Sequence, residues 1–181
     1  MTIKVTLMTP ADIDGAIVTI QEAFKDDPYS NWVFDKSQQG VMNLRFGRGG
    51  LRAHRYWIWK DAQAKAQAEL WTSEKGYYFC NIVTILPECQ RMGIGKAMME
   101  EVLRMADEQG IPAYLESSRK EPNVPIYEKF GFELKKEMEC DDNGDAIMLY
   151  CMIREPKGGA RKTGYGTFNG ANSENGHDST A

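Results

Sequence analysis

Residues 83–97 read VTILPECQRMGIGKA and decide the fold of this chain. A β-branched apolar run stops at Pro87, a short loop with two glycines follows, and an amphipathic helical pattern begins at Ile94. The first turn of a helix has N–H groups without acceptors and carries the positive end of the helix dipole, so such a junction binds anions. Gly93 and Gly95 have no Cβ, which lets a phosphate group approach the backbone. The spacing matches neither the P-loop nor the dinucleotide-binding fingerprint.

A second informative block begins with AYLESS, residues 113–118, which is typical of a buried strand. It continues with NVPIYEKFGF, residues 123–132, in which a short helix carrying Tyr127 precedes a Gly-Phe pair. The two blocks, in this order and with a helix of suitable length between them, resemble the GCN5-related N-acetyltransferase (GNAT) family over roughly residues 76 to 155. The second block is similar to the branch that includes puromycin-type acetyltransferases.

The resemblance implies an α/β fold with a mixed central sheet flanked by helices, and a transferase that uses acetyl-CoA as its acyl donor. It also implies that the backbone of the central strand pairs with pantetheine, while the glycine loop holds the pyrophosphate. The positions that it assigns to acetyl-CoA are Val83, Thr84, Ile85, Gln90, Arg91, Met92, Gly93, Ile94, Gly95, Lys96 and Asn123. For three of these an ordinary interpretation stays open: Arg91 and Lys96 as surface charges, and Asn123 as a helix cap.

Two residues are candidates for catalysis. The resemblance places Tyr127 as the general acid, since a phenol with a reference pKa of about 10 is protonated at neutral pH and can donate to a leaving thiolate. Its alternative role is packing of the short helix onto the sheet. Glu116 lies at the end of a predicted buried strand, beside the expected cleft. It is either a general base for the acceptor amine, a binding site for a cationic substrate, or a structural hydrogen-bond acceptor.

The composition sets limits on the other possibilities. At 181 residues with a net charge of −4, the chain is long enough for one domain and has no electrostatic footprint for nucleic acid or an anionic membrane. No apolar run approaches the ~20 residues of a membrane span, and the N-terminus lacks the apolar region of a signal peptide. Four cysteines without Cys-x-x-Cys spacing and two scattered histidines predict no metal site and favour a reduced, cytoplasmic protein.

Periodicity predicts the remaining elements. A strand over residues 3–8 precedes a helix that begins at Thr9-Pro10, and the stretch 26–30 breaks that helix. The other expected elements are a long helix over 51–70, a strand over 76–86, a helix from 94 to Gly110, a strand over 112–117, a short helix over 123–130, and a hairpin of 133–139 with 146–153. The aromatic residues of the long helix and its end are interpreted as core packing: Tyr56, Trp57, Trp59 and Trp71.

One region departs from the family pattern. GNAT enzymes usually carry two antiparallel strands before the central strand, but residues 25–75 contain no clear pair of alternating runs. Only the short runs 31–35 and 41–46 are compatible with strands, so part of the N-terminal β-hairpin is expected to be missing, with an exposed edge on the 76–86 strand. Residues 1–156 are predicted to form the acetyltransferase domain, and the glycine-rich segment 157–181 a disordered tail.

These observations predict an acetyl-CoA-dependent N-acetyltransferase that moves the acetyl group directly to a primary amine of a small molecule. Two alternatives stay open: acetylation of a protein or peptide amine, and a CoA-binding protein that has lost catalysis together with its hairpin. The sequence determines neither the identity of the acceptor nor the oligomeric state, because fold does not fix function.

Overall fold

The computed structural model describes residues 3–34, 53–71 and 76–158. Within them, the chain forms five α-helices and four β-strands around one mixed sheet. The helices are α1 (Ile13–Ala23), α2 (Pro28–Val33), α3 (Ala53–Leu70), α4 (Ile94–Gln109) and α5 (Asn123–Lys129). The strands are β1 (Tyr78–Phe79), β2 (Ala113–Ser117), β3 (Glu133–Asp142) and β4 (Asp145–Arg154). The expected α/β fold with helices flanking a mixed sheet is confirmed.

The helix boundaries follow from local chemistry. A 3-10 turn, Pro10–Asp12, precedes α1, and the Asp12 carboxylate accepts hydrogen bonds from the Thr9 N–H at 2.8 Å and the Thr9 hydroxyl at 2.7 Å. Asp27 caps α2, because its Oδ1 accepts the Ser30 N–H at 2.9 Å. The predicted stop of α4 at Gly110 is confirmed, and this glycine has the left-handed φ of 64° that a helix C-terminus favours.

The strands follow one another in the order β1-β2-β4-β3 across the sheet. β1 and β2 are parallel, with Tyr78 opposite Ala113, while β4 runs antiparallel to both β2 and β3. A two-residue turn joins β3 to β4, and its residues Asn143 and Gly144 have φ values of 55° and 94°. Asn-Gly is the preferred sequence for such a turn, so the predicted hairpin is confirmed.

The two faces of the sheet bury two separate cores, because successive side chains of a strand point to opposite sides. Tyr114 of β2 lies in a cluster with Trp32 of α2 and Ala66 of α3. Its neighbour Leu115 lies in a second cluster with Leu103 of α4 and residues of α5. Alternate residues of β2 therefore face opposite sides of the sheet, and the place of a residue along the strand decides which core it contacts.

Two predicted strands are wrong. Residues 3–8 have no regular secondary structure, since no strand within the described residues lies beside them to accept their backbone hydrogen bonds. The strand predicted over 76–86 is reduced to Tyr78–Phe79, because the chain leaves the ladder after Cys80. An alternating pattern predicts which side chains face a core, but a strand also needs a neighbour.

The structure describes part of the predicted long helix and part of the uncertain region that precedes it. Residues 31–33 of the run 31–35 belong to helix α2 rather than to a strand, and residue 35 lies outside the described residues. α3 covers the described part of the helix predicted over 51–70. The other short run, 41–46, lies outside the described residues. Within the ranges that the structure describes, no strand pairs with the outer edge of β1.

The tail prediction lies mostly outside the described residues, which end at Gly158. The described end of the chain is held, because the Lys157 N–H donates to Asp107 Oδ1 at 2.7 Å. Deletion of residues 159–181 keeps this bond, and we expect it to leave the melting temperature unchanged, since glycine-rich, weakly apolar sequence buries little surface. Differential scanning calorimetry of the shortened chain checks this, and a clear fall in Tm would show that the tail docks on the domain.

Candidate functional site

A gap opens in the sheet where β1 and β2 separate. Their last shared hydrogen bond runs from the Cys80 N–H to the Tyr114 C=O at 2.8 Å. The next N–H, that of Asn81, turns back to the Phe79 C=O at 2.9 Å, while β2 continues to Ser117. The β1-facing edge of β2 beyond Tyr114 therefore carries backbone groups that no described strand uses.

The chain from this gap leads to a loop with unusual backbone angles. After the 3-10 turn Pro87–Cys89, Arg91 has a φ of 62° and Gly93 has a φ of 83°, both in the left-handed region. α4 begins at once, and its first bond to the cap joins the Ala97 N–H to the Gly93 C=O at 3.0 Å. The N–H groups before Ala97 thus have no acceptor within the helix, and they gather at the positive end of its dipole.

The two glycines of the loop serve different purposes. A Cβ on Gly95 would lie 2.7 Å from Cδ1 of Ile85, so a side chain there pushes into the segment that leads to the gap. A Cβ on Gly93 meets only Cδ1 of Ile3, at 3.8 Å, and Gly93 is exposed, but its φ disfavours any other residue. The loop therefore presents an open, concave row of N–H groups of the kind that fits a phosphate.

The structure places most of the residues predicted to bind acetyl-CoA on one continuous segment. Val83, Thr84 and Ile85 are half-buried between the gap and the loop. The Gln90 N–H already donates to the Pro87 C=O at 3.3 Å, so only its side chain is available to a ligand.

The side chains around the loop are mostly exposed. Arg91 and Met92 point to solvent, and Met92 is 60% exposed. Lys96 Nζ lies 3.6 Å from Glu100 one turn along α4, which agrees with an ordinary surface ion pair. Ile94 and Gly95 are half-buried at the first turn of the helix. The backbone, rather than the charged side chains, therefore forms the candidate anion site.

Asn123 lies beside Ser117, the last residue of β2. It is the first residue of α5 rather than its cap, since Pro122 occupies the cap position. Its Nδ2 donates to Ser117 Oγ at 3.1 Å, and Ser117 Oγ donates to the Arg119 C=O at 2.9 Å. Asn123 thus fixes the turn between β2 and α5, and the helix-cap interpretation is wrong in its detail.

Tyr127 lies on the α4 and α5 side of the sheet. Its ring packs edge-to-face on Phe132, with centroids 6.0 Å apart, and belongs to the core cluster that Cys80 and Val83 also contact. Burial, and to a smaller extent Cys80, raises the pKa of the phenol. Among the described residues, its hydroxyl has no hydrogen-bond partner. A protonated phenol with an unused donor therefore lies beside the gap.

Glu116 lies on the opposite face of the sheet. Its Oε1 accepts a hydrogen bond from the Tyr114 hydroxyl at 2.7 Å and one from Gln63 Nε2 at 3.0 Å, and its Oε2 lies 3.1 Å from the same nitrogen. Burial is the main cause that raises the pKa of Tyr114, so its hydroxyl stays a donor. Lys60 Nζ in turn donates to Gln63 Oε1 at 3.0 Å, which fixes the orientation of the amide. The carboxylate is held in place from two directions.

The charge of Glu116 acts on its neighbours. Burial raises the pKa of Tyr77, and the negative charge of Glu116 raises it further. The same two causes, with burial again the larger, raise the pKa of the Cys140 thiol to about 11. Within the described ranges, no lysine or arginine lies within ion-pair distance of Glu116. Glu116 therefore has no direct ion partner in these ranges, and Lys60 is connected to it only through the Gln63 amide.

A cavity of about 340 Å³ lies against this carboxylate. The part of the chain that follows β1 borders it directly, so the cavity and the gap in the sheet adjoin each other. Its lining residues are Ile17, Ile20, Gln21, Phe24, Asp27, Tyr29, Ser30, Phe34, Trp59, Phe79, Asn81, Ile82, Glu116, Ser118 and Leu149.

Several residues around Glu116 and the cavity were not predicted to belong to the site. Trp59 was interpreted as core, and it does contact the core cluster, but it also forms a wall of the cavity. Tyr114 is two residues before Glu116 and thus on the same face of β2, which the strand periodicity indicates in advance. Gln63 had no signal in the sequence, because only the packing of α3 on the sheet brings it to Glu116. The sequence also contained no signal that α1 lines the cavity, and none of the residues of α1 is fully buried.

Among the described residues, no group of three or more His, Cys, Asp or Glu is arranged to hold a metal ion. None of the helices in these ranges combines the length and hydropathy needed to cross a membrane.

Comparison with known proteins gives a consistent result. Residues 52–134 match the family of the acetyltransferase (GNAT) domain. An uncharacterised N-acetyltransferase of Schizosaccharomyces pombe is 37% identical over 68 residues, which are 38% of this chain and 27% of that protein. This chain therefore spans only about a quarter of the length of that relative.

A solved structure matches over most of both chains. It is described as histone acetyltransferase HPA2 and related acetyltransferase from Corynebacterium glutamicum, and it is similar to this chain with a TM-score of 0.55 at 16% identity. The match covers 86% of this chain and 96% of that one. At this identity the likeness concerns the fold.

Proposed function

On the premise of the match of residues 52–134 to the GNAT acetyltransferase domain, we propose that this chain is a GNAT enzyme, an acetyl-CoA-dependent N-acetyltransferase whose acceptor is a primary amine of a small molecule. One observation carries the proposal. The gap between β1 and β2 has an unused phenol, Tyr127, on one face of the sheet and a fixed carboxylate, Glu116, on the other. The anion-binding loop adjoins the gap along the chain.

The binding roles follow from the geometry. Acetyl-CoA supplies an acetyl group activated as a thioester. The N–H groups between Arg91 and Lys96 hold the diphosphate. The backbone of Val83 to Ile85, which pairs with no strand that the structure describes, hydrogen-bonds the pantetheine amides as an added strand would. The positions Gln90 and Asn123 complete the proposed set, the first through its side chain and the second by holding the start of α5.

The catalytic roles are distributed over the two faces. Glu116 orients the acceptor ammonium and takes up the first proton, directly or through a water molecule, so that the amine becomes nucleophilic. The new bond joins the amine nitrogen to the acetyl carbon, and the bond from this carbon to sulfur breaks. Tyr127 holds a proton at Oη and delivers it to the departing sulfur, so that the products are an amide and a thiol. The nitrogen loses its second proton to solvent as the amide forms, and solvent returns one to Tyr127.

The cavity favours a small acceptor over a peptide, because α1, α2 and α3 border it and leave about 340 Å³. Acetylation of a peptide amine, and CoA binding without turnover, are the outcomes that would replace this proposal. The likeness to puromycin-type acetyltransferases and the cytoplasmic location remain predictions from the sequence.

Gly93→Asp tests the anion site. Saturating CoA should stabilise the parent protein by mass action, by about 2.7 kcal/mol at 100 times Kd. In the variant a carboxylate occupies the space proposed for the phosphate and repels its negative charge, so we expect the CoA-induced rise in Tm to vanish. Thermal unfolding with and without CoA measures both.

Gly110→Asp is the matched control. It introduces the same residue at the other end of α4, also at a positive φ, so both variants carry similar backbone strain. We expect Gly110→Asp to lower Tm while it keeps the CoA-induced shift. A full shift in Gly93→Asp, or its loss in both variants, would contradict the assignment of the loop. Release of free thiol from acetyl-CoA in the presence of amines then separates an enzyme from a protein that only binds CoA.

A further inference from the structure

The cavity beside Glu116 has a composition that points to one class of acceptor. We propose that it binds a small primary amine with a single cationic group and an apolar body, either aromatic or branched aliphatic, whose ammonium lies against Glu116. The inference rests on the proposed function, since it assigns the acceptor of the same site.

The walls of the cavity are mainly aromatic. Phe24, Tyr29, Phe34, Trp59 and Phe79 contribute rings, and the centroids of Tyr29 and Trp59 lie 5.3 Å apart at an angle of 57°. Burial of an apolar group between such rings is favourable by about 25 cal/mol per Å², and offset or tilted ring contacts add to this. A second charge on the ligand would lose its hydration against the same walls without an ion partner.

Among the described residues, two carboxylates line the cavity, and Glu116 is the one that does not cap a helix, whereas the positive end of the α2 dipole offsets the charge of Asp27. The neighbours of Glu116, Tyr114 and Gln63, are neutral donors, so its carboxylate charge is not cancelled. The other carboxylate in the lining, Asp27, uses Oδ1 for the Ser30 N–H and Oδ2 for the Ser118 hydroxyl. One anchor and one apolar chamber fit a monocation better than a polyamine.

Size and position agree with this class. A cavity of about 340 Å³ is near the lower end of the roughly 300–1,000 Å³ of ligand pockets, which suits a molecule of one or two rings. Asn81 and Ile82, where the chain leaves β1, also line the cavity. An amine held by Glu116 therefore lies beside the gap through which the acetyl group is proposed to reach it.

A panel of acceptors tests the inference. With acetyl-CoA present, we expect kcat/KM for 2-phenylethylamine and isopentylamine to exceed that for spermidine and for a lysine-containing peptide by at least about 100-fold, since one or two well-buried apolar groups are worth this much. Calorimetric titration of the CoA-bound protein should show binding of 2-phenylethylamine and much weaker binding of 2-phenylethanol, its neutral analogue. In Glu116→Gln the preference for the amine over the alcohol should disappear.

A pair of variants on α1 locates the effect. Ile20 lines the cavity, and Ile20→Lys brings a cation towards the ammonium, so we expect KM for 2-phenylethylamine to rise at least about 10-fold by charge repulsion. Val18 is on the same helix, is 53% exposed and is not among the lining residues, so Val18→Lys should leave KM unchanged. Both variants should keep the CoA-induced rise in Tm.

The outcomes are distinguishable. Preference for spermidine would overturn this inference and leave the proposed small-molecule acetyltransferase function intact. Preference for the peptide would overturn both this inference and the proposed small-molecule acceptor. Binding of 2-phenylethylamine without acetylation of any amine would support the site and overturn the function. Equal effects of Ile20→Lys and Val18→Lys, or equal binding of the amine and the alcohol, would show that this cavity does not hold the acceptor.

Discussion

Replacement of Tyr127 by phenylalanine is expected to lower kcat by about 10²–10⁴-fold while leaving CoA affinity unchanged. The substitution removes only the hydroxyl, and the ring keeps its edge-to-face contact with Phe132. The lost group is the proton donor proposed for the departing sulfur, so the effect falls on turnover and not on binding. Steady-state kinetics at saturating acetyl-CoA, together with the CoA-induced shift in Tm, measure the two quantities separately.

The pH profile gives a second readout. Burial raises the pKa of Tyr127 above the ordinary value of 10.0, so its hydroxyl keeps the proton throughout the neutral range and loses it only above that value. The parent enzyme should therefore lose activity as the pH rises through the raised pKa, and Tyr127→Phe should lack this alkaline fall. Tyr150→Phe is the control, because its ring contacts the same core cluster and it has no proposed role in proton transfer. Equal turnover of the parent and Tyr127→Phe at every pH would show that Tyr127 only packs.

Replacement of Asp107 by asparagine is expected to destabilise the domain by about 3 kcal/mol. The guanidinium of Arg154, with a side chain only 4% exposed, donates to both carboxylate oxygens of Asp107, at 2.7 and 2.8 Å, and its Nε donates to the Phe130 C=O at 3.0 Å. Without the carboxylate a buried charge is unpaired, which typically costs about 3–5 kcal/mol. The lower end applies because the Asp107 side chain is 24% exposed. Urea unfolding of both proteins measures the difference.

The pH dependence of this difference has a definite sign. Arg154 is the main cause that lowers the pKa of Asp107 below its ordinary value of 3.8. A lowered pKa contributes stability above the value in the unfolded chain, and the contribution is lost as the pH falls through the folded value. The difference in free energy of unfolding between the parent and Asp107→Asn should thus be constant above about pH 5 and become smaller under more acidic conditions. Glu101→Gln breaks an exposed ion pair on α4 and should leave Tm unchanged. An equal loss of stability in both variants would mean that the Asp107–Arg154 pair contributes no more than an exposed ion pair.

The loop that is proposed to bind an anion illustrates what local sequence can specify. Its features depend on neighbours along the chain: Pro87 stops the apolar run, Gly93 takes the left-handed φ, and Gly110 ends α4 sixteen residues after it began. The hairpin at Asn143-Gly144 is equally local. Such elements are predictable because their free energy comes from short-range sterics and hydrogen bonds.

The two overestimated strands show the limit of the same reasoning. Residues 3–8 and 76–86 have the alternating or β-branched composition of strands, yet only Tyr78–Phe79 pairs, because a ladder needs a partner at the right place. After Asn81 the backbone as far as Ile85 has no strand partner among the described residues, and this is the segment proposed to bind acetyl-CoA. A rule that expects every apolar run to pair within the sheet does not account for backbone groups that are proposed to bind a ligand instead.

The sequence by itself indicated the resemblance to the GNAT family, the order of the elements from the glycine loop onward, and the candidate pair Tyr127 and Glu116, since these depend on residue type and spacing. Only the tertiary structure decided that the pair lies on opposite faces of the sheet, that Gln63 and Tyr114 hold the carboxylate, and that α1 and α2 close an aromatic cavity over it. Those contacts join residues far apart in the chain. They are set by the packing of helices on a twisted sheet, which no local pattern encodes.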